Sequence, residues 1–259
     1  MLNRLTAVGA ATALALASLV ACSSRDVARA EAAAPSTPAA SPAAAPATKP
    51  APRWFKGNLH THSLWSDGDD FPERIAEWYR EHGYQFLAIS DHNTTQQGEK
   101  WVRLAKLKLR GGGPAAEDYL KRFPDLAKTR GGDPAGDAYE IRLTPFAEYR
   151  PRLERPGSFL LIPSEEVSDT TEEGRPIHII ATNLHGPALK PKAKGGAVDV
   201  IRTNLLAIEE QGRREGKPVL PHLAHPNFGW AVTAEEMAQV VEERFFEIHN
   251  GHPIVRQAG

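Results

Sequence analysis

Short, unbroken apolar runs that break off at a histidine or a carboxylate constrain this chain more than any other feature. Phe86-Leu87-Ala88-Ile89 leads into Ser90-Asp91-His92, and Phe159-Leu160-Leu161-Ile162 leads into Pro163-Ser164-Glu165-Glu166. Ile177 to Ala181, Pro218 to Leu223 and Phe245 to Ile248 have the same character. A run without polar alternation fits a strand covered on both faces. Helical stretches separate these runs. From Pro72 to His82, the apolar residues Ile75, Trp78 and Tyr79 fall at i, i+3, i+4, with Asp70 placed as a cap, Pro72 near the first position and Gly83 as a stop. Val198 to Glu215 and Ala234 to Glu243 read as two more helices, and Asn58 to His62 as a short leading strand. Strands alternating with helices predict an α/β domain with a parallel sheet or barrel.

The N-terminal part differs in kind. Met1 to Leu5 carry Arg4, and Thr6 to Val20 are almost wholly small and apolar, which suits the core of a signal peptide and is short for a bilayer span. Leu19-Val20-Ala21-Cys22 resembles a bacterial lipobox, in which the cysteine thiol is acylated. Ala28-Arg29-Ala30 offers ordinary signal cleavage as the alternative. Residues 23–52 follow as a linker, Ala/Pro-rich from Glu31 onward, and are expected to form a semi-extended tether. The expectation is an exported lipoprotein, anchored at Cys22 and facing the periplasm or cell exterior, with one folded domain over 53–259. Cys22 is the one cysteine among 259 residues, so that domain has neither a disulfide nor a thiolate metal site. A formal net charge of −1 gives no reason to expect nucleic-acid binding. Within the domain, 98–156 is rich in Lys, Arg and Gly and reads as an insertion, either a lid over one end or a solvated excursion.

The chain has ten histidines, and several sit where the strands end. His60 and His62 are two apart on the leading strand, so both rings leave one face. Asp67 follows in the next loop. Asp91-His92, Glu165-Glu166 and His225-Pro226 come directly after apolar runs, and His178 opens one. Each alone has a plainer reading: a chance H-x-H, a surface imidazole, a solvated charge pair, a core histidine. Their recurrence at equivalent places along a βα series is what argues for convergence on one rim. Imidazole and carboxylate ligands favour zinc, manganese or iron.

These residues resemble the PHP (polymerase and histidinol phosphatase) metallohydrolases. Gly57-Asn58-Leu59-His60-Thr61-His62-Ser63 with Ser66-Asp67-Gly68 is similar to the first motif of that family, and Ala88-Ile89-Ser90-Asp91-His92-Asn93 to the second. Ile162-Pro163-Ser164-Glu165-Glu166, Pro176-Ile177-His178-Ile179-Ile180 and Leu223-Ala224-His225-Pro226-Asn227 resemble the elements that follow, and Phe246-Glu247-Ile248-His249-Asn250-Gly251 a later strand. The resemblance implies a distorted (β/α)7 TIM-like barrel with two to three divalent ions at its C-terminal rim. By it, His60, His62 and Glu166 hold one ion, Glu166 bridges to a second held by His178 and His225, and Asp67 and His92 hold a third. The family also supplies an Asp-x-His element. After His225 this sequence offers Glu247, His249 and His252, which predicts a barrel truncated at its C-terminus and a cluster lacking two ligands.

A polynuclear cluster of this kind lowers the pKa of a bound water towards neutrality and neutralises charge on a phosphoryl group. The expected activity is therefore a metal-dependent phosphoesterase acting on a small-molecule or nucleotide phosphoester. His60, His62, Glu166 and His225 would act catalytically through metal-bound hydroxide. Asp91 is expected to orient an imidazole, and His222 to contact a phosphate or protonate the leaving group. An amidohydrolase-like metal hydrolase and a non-catalytic metal-binding scaffold are the alternatives.

Overall fold

The computed structural model describes residues 52–189, 193–252 and 255. The signal segment, Cys22 and nearly all of the linker lie outside the described residues. In chain order the first elements are β1 (Gly57–Asn58), α1 (Pro72–Glu81), β2 (Phe86–Ile89), β3 (Lys100–Arg103), α2 (Leu104–Leu109), α3 (Gly113–Arg122) and β4 (Thr129–Arg130). They are followed by β5 (Glu140–Leu143), α4 (Phe146–Leu153), β6 (Leu160–Thr170), β7 (Pro176–Thr182), α5 (Ala197–Glu215), β8 (Leu220–Leu223) and α6 (Ala234–Met237).

The main sheet is mixed, in the order β1-β2-β6-β7-β8. β1, β2 and β6 run parallel, as expected. The β6–β7 and β7–β8 pairs are antiparallel, which is not. For β7 the cause is the connection: Thr171 to Arg175 is a tight turn, closed by Thr171 N donating to Arg175 O at 2.9 Å, with Gly174 at φ 81°. A parallel return needs a crossover of a dozen residues or more.

Three apolar layers hold this frame. α5 lays Val200, Ile201, Leu205 and Ile208 on Ile177, Ile179 and Leu223 of β7 and β8. α1 and α4 contribute Ala76, Tyr149 and Leu153 against Leu87, Ile89 and Leu161 of β2 and β6. Each such buried Leu or Ile contributes about 1.5–3 kcal/mol relative to exposure. The third layer belongs to the 98–156 segment, which has its own antiparallel sheet β3-β5-β4. Leu104, Leu107, Ala116, Tyr119, Ile141 and Leu143 pack there around Leu64, Trp65 and Phe71, with Phe71 stacked on Tyr119 at 3.9 Å. The segment thus grips the loop between β1 and α1.

Other local expectations shift. Asp70 accepts from Phe71 N and Arg74 Nε, and Phe71 occupies the N-cap position without a side-chain cap. The helix expected over 234–243 shrinks to α6, opened by the Thr233–Glu236 capping box. Phe245 to Ile248 is not a strand; it meets β8 through one bridge, Leu223 to Phe246. That bridge matters, because Glu247 N also donates to Leu223 O at 2.9 Å, while Glu247 Oε1 lies 2.6 Å from His60 Nδ1, just beyond β1. The two edges of the sheet therefore meet across one side chain.

Candidate metal centre

β6 is long enough to carry its two glutamates inside the strand, not after it, so they face opposite ways. Glu165 turns to the loop before α5, where Oε2 accepts from Leu189 N at 3.1 Å and burial raises its carboxyl to about 8. Glu166 turns to the histidines. The main chain of 91–93 is zipped onto β6: Glu166 N donates to Asp91 O, and Asn93 N to Glu166 O. This sets His92 against Glu166.

β1 spans two residues, so His60 and His62 lie beyond it. The chain stays extended there, with Ser90 N donating to Thr61 O at 2.8 Å, and both rings still leave one face, their Nε2 atoms 3.2 Å apart. His225 has φ 23°, a conformation few non-glycine residues adopt. It is held by His225 N donating to Glu247 Oε2 and Ala224 N to His178 O.

Five imidazoles converge on the fully buried carboxylate of Glu166. Its Oε1 lies 3.4 Å from His60 Nε2, 3.0 Å from His178 Nδ1 and 3.2 Å from His225 Nε2. Its Oε2 lies 2.7 Å from His62 Nε2 and 3.0 Å from His92 Nδ1, yet makes no hydrogen bond with either among the described residues. Short nitrogen–oxygen approaches without hydrogen-bond geometry, in a buried His/carboxylate cluster, fit cations shared between lone pairs. The donor set therefore suits divalent metal ions. Three groups have donor atoms within 4.8 Å of one another: His60, Glu166 and His225; His62, Asp67 and His92; His92, Glu166 and His178. All seven expected ligands are brought together, in groups that differ from the expected pairing. His225 sits with His60, and His62 with Asp67.

Asp91 does not touch an imidazole. It is fully buried and accepts from Ser63 N, Ser63 Oγ, Ser66 Oγ and Gln96 Nε2 at 2.6–2.7 Å, which pins the loop bearing His62 and Asp67. Gly68 completes that loop: a Cβ there would lie 2.5 Å from the His62 carbonyl. His222 sits behind the site, 3.9 Å from Glu247 Oε1, and does not line the cavity.

Sequence reasoning left Glu247 out of the site. Its carboxylate can only accept, so the His60 Nδ1 it faces carries a proton, and Nε2 is the nitrogen turned towards Glu166, able to ligate a cation once it gives up its own proton. Asn250 Nδ2 donates to Glu247 Oε2 at 3.0 Å. Ser168 Oγ, 2.5 Å from His92 Nδ1, was likewise unforeseen. The signal for Glu247 was its place in the Phe246-to-Gly251 match; its partner lies 187 residues away.

The electrostatics follow the contacts. Burial alone would depress His60, but its hydrogen bonds to Glu166 and Glu247 carry it up to about 9. His62 also rises against burial, through Glu166 and Asp67. Burial would raise Glu166 and Glu247, but their imidazole partners hold both well below the usual carboxylate range. A cavity of about 750 Å³ opens onto the cluster, with Asn58, Tyr79, Phe228 and Asn250 among its walls.

Glu247→Gln is expected to keep the fold and weaken divalent-metal affinity about 10–100-fold, the usual cost of losing a carboxylate behind a ligating histidine. Metal titration followed calorimetrically checks this.

No family model matches the chain. A stretch of 38 residues is 50% identical to DNA polymerase/3'-5' exonuclease PolX of Bacillus subtilis (strain 168), spanning 15% of this chain and 7% of that protein. A solved structure described as a metal-dependent phosphoesterase of Bifidobacterium adolescentis has 12% identity and a TM-score of 0.37, over 76% of this chain and 78% of the other. Neither likeness places the chain in a family.

Proposed function

We propose that this chain is a metal-dependent phosphoesterase that holds two to three ions of the zinc, manganese or iron type on a distorted (β/α)7 scaffold of the PHP kind. The observation that carries the proposal is the convergence of five imidazoles on buried Glu166. The barrel reading draws support from parallel β1, β2 and β6, and from the meeting of the sheet edges across Glu247. His60, His62, Asp67, His92, Glu166, His178 and His225 would hold the ions. Bound there, divalent ions polarise a phosphoryl oxygen and acidify water towards neutral pH.

The chain's own residues prepare this chemistry. Glu247 holds the His60 proton on Nδ1, and Asp91 fixes the loop that presents His62 and Asp67. Asn58 and Tyr79 share a 2.6 Å hydrogen bond on the cavity wall, and His249 is among the other polar residues that line the cavity. A cavity of this size admits a small-molecule or nucleotide phosphoester. The proposal extends to export and acylation at Cys22, supported by the Leu19-Val20-Ala21-Cys22 run.

The test is elemental analysis of the purified full chain together with turnover of aryl phosphomonoesters and diesters. Two to three divalent ions per chain are expected, with activity lost in His60→Ala. A chain that takes up no divalent ion, or equal turnover in the variant, overturns the reading.

A further inference from the structure

The entry side of the parallel strands carries an unusual surface. Trp54 is fully exposed, and Phe55 and Trp78 are each about half exposed. Trp78 stacks on His82 at 3.9 Å and lies 6.3 Å from Tyr84. Lys56 ties the two stretches together: its Nζ sits 4.0 Å over the Tyr84 ring and donates to His82 O at 3.1 Å. Arg53 lies 5.2 Å over Phe55. Neither cation has a carboxylate partner among the described residues, and the nearby Glu81 faces Arg122 at 3.8 Å. The patch therefore combines large aromatic rings with two uncompensated positive charges.

Its place in the fold is definite. Lys56 and Gln85, hydrogen-bonded to each other, are the residues entering β1 and β2. The candidate ligands His60, His62 and His92 follow those same strands at their other ends. The linker joins the domain at Pro52, directly before Arg53 and Trp54.

We propose that this patch docks on the lipid surface to which the linker is attached. Tryptophan and phenylalanine rings favour the boundary between headgroups and acyl chains, and Arg53 and Lys56 complement anionic headgroups. The chain outside the described structure selects this occupant. The thirty residues of the linker, expected from their Ala/Pro content to form a semi-extended tether, reach at most about 100 Å, so the patch is confined to the neighbourhood of the anchoring point. Weak contacts suffice under that condition. Among the described residues no helix is long and apolar enough to cross a membrane, so the contact is interfacial. Docking by this end leaves the opposite ends of β1 and β2, which lead to His60, His62 and His92, on the side away from the lipid. The proposal rests on the tether reading and is independent of which ester is cleaved.

The test uses the full chain in vesicles of phosphatidylcholine with phosphatidylglycerol, some carrying brominated acyl chains that quench nearby tryptophan. Residues before Arg53 contain no tryptophan, so the N-terminal segment is silent. Expected is quenching that falls by at least half in the Trp54→Ser/Trp78→Ser variant, with turnover of a soluble ester unchanged. Lys56→Gln should weaken the docked state roughly fivefold on anionic vesicles, the effect of one cation near such a surface. Absence of quenching, equal quenching in the double variant, or failure of vesicles to retain the chain each overturns the proposal. So does self-association abolished by the double variant without quenching, which would assign the patch to a second copy.

Discussion

Glu166→Gln is expected to strip the metal centre to at most one ion and abolish turnover while leaving a folded chain. Glutamine keeps the volume, but it removes the charge that five imidazoles approach. All metal groups but the one around His62, Asp67 and His92 include this carboxylate, so at most one ion should remain. Turnover should fall by about three orders of magnitude or more, equivalent to roughly 4 kcal/mol of transition-state stabilisation. In the metal-free state, loss of a buried counter-charge costs about 3–5 kcal/mol. For a domain of this size that lowers the melting temperature by roughly 10 °C. Elemental analysis, turnover and calorimetry on one preparation separate the effects. A variant that keeps two ions would remove Glu166 from the centre of the assignment.

The second large effect is metal removal, and its size should depend on pH in a definite direction. At a free-ion concentration a thousand times the dissociation constant, loading stabilises by about 4 kcal/mol, so chelation should lower the melting temperature by roughly 10 °C. In the metal-free chain His60 is raised from 6.5 to about 9 by its carboxylate partners. A raised pKa contributes stability in full below 6.5, and that contribution is lost as pH rises through 9. Metal ligation needs the neutral ring, so loading releases that proton. The gap between loaded and chelated forms should therefore widen from pH 6.5 to 9, and the protein should take up a proton from unbuffered solution when the metal is removed. A gap that narrows over this range would contradict the His60–Glu247 arrangement.

What could be read from the residues follows the range over which each signal acts. Phe86 to Ile89 announced β2, and the stretch from Val198 to Glu215 between two apolar runs announced α5, because burial patterns are local. Strand direction is not local. An apolar run such as Ile177 to Ala181 packs equally well either way, and the tight turn at 171–175 decided against a parallel β7. The same run-based reading placed Glu165 and Glu166 after their strand, since two carboxylates interrupt the apolar run and, past Val167, Ser168 to Thr170 are all polar. Segment 98–156 looked loosely organised because its apolar partners, Leu64, Trp65 and Phe71, lie in another stretch of sequence. The candidate ligands were visible as types and spacings. Glu247 was not, since its role depends on bringing together positions at opposite ends of the domain.

That junction has a further consequence. No backbone ladder joins β1 to β8 among the described residues; the rim is spanned by one carboxylate that reads the protonation of His60 on one side and the amide of His225 on the other. Closure here is an acid–base contact, not a topological one. The seam should therefore breathe with the state of the centre: the Glu247 amide, bonded to Leu223, exchanges with solvent when the clasp loosens, while the seven-residue β6–β7 ladder stays protected. If the proposed ions bind, their loading and the protection of the Glu247 amide should rise together.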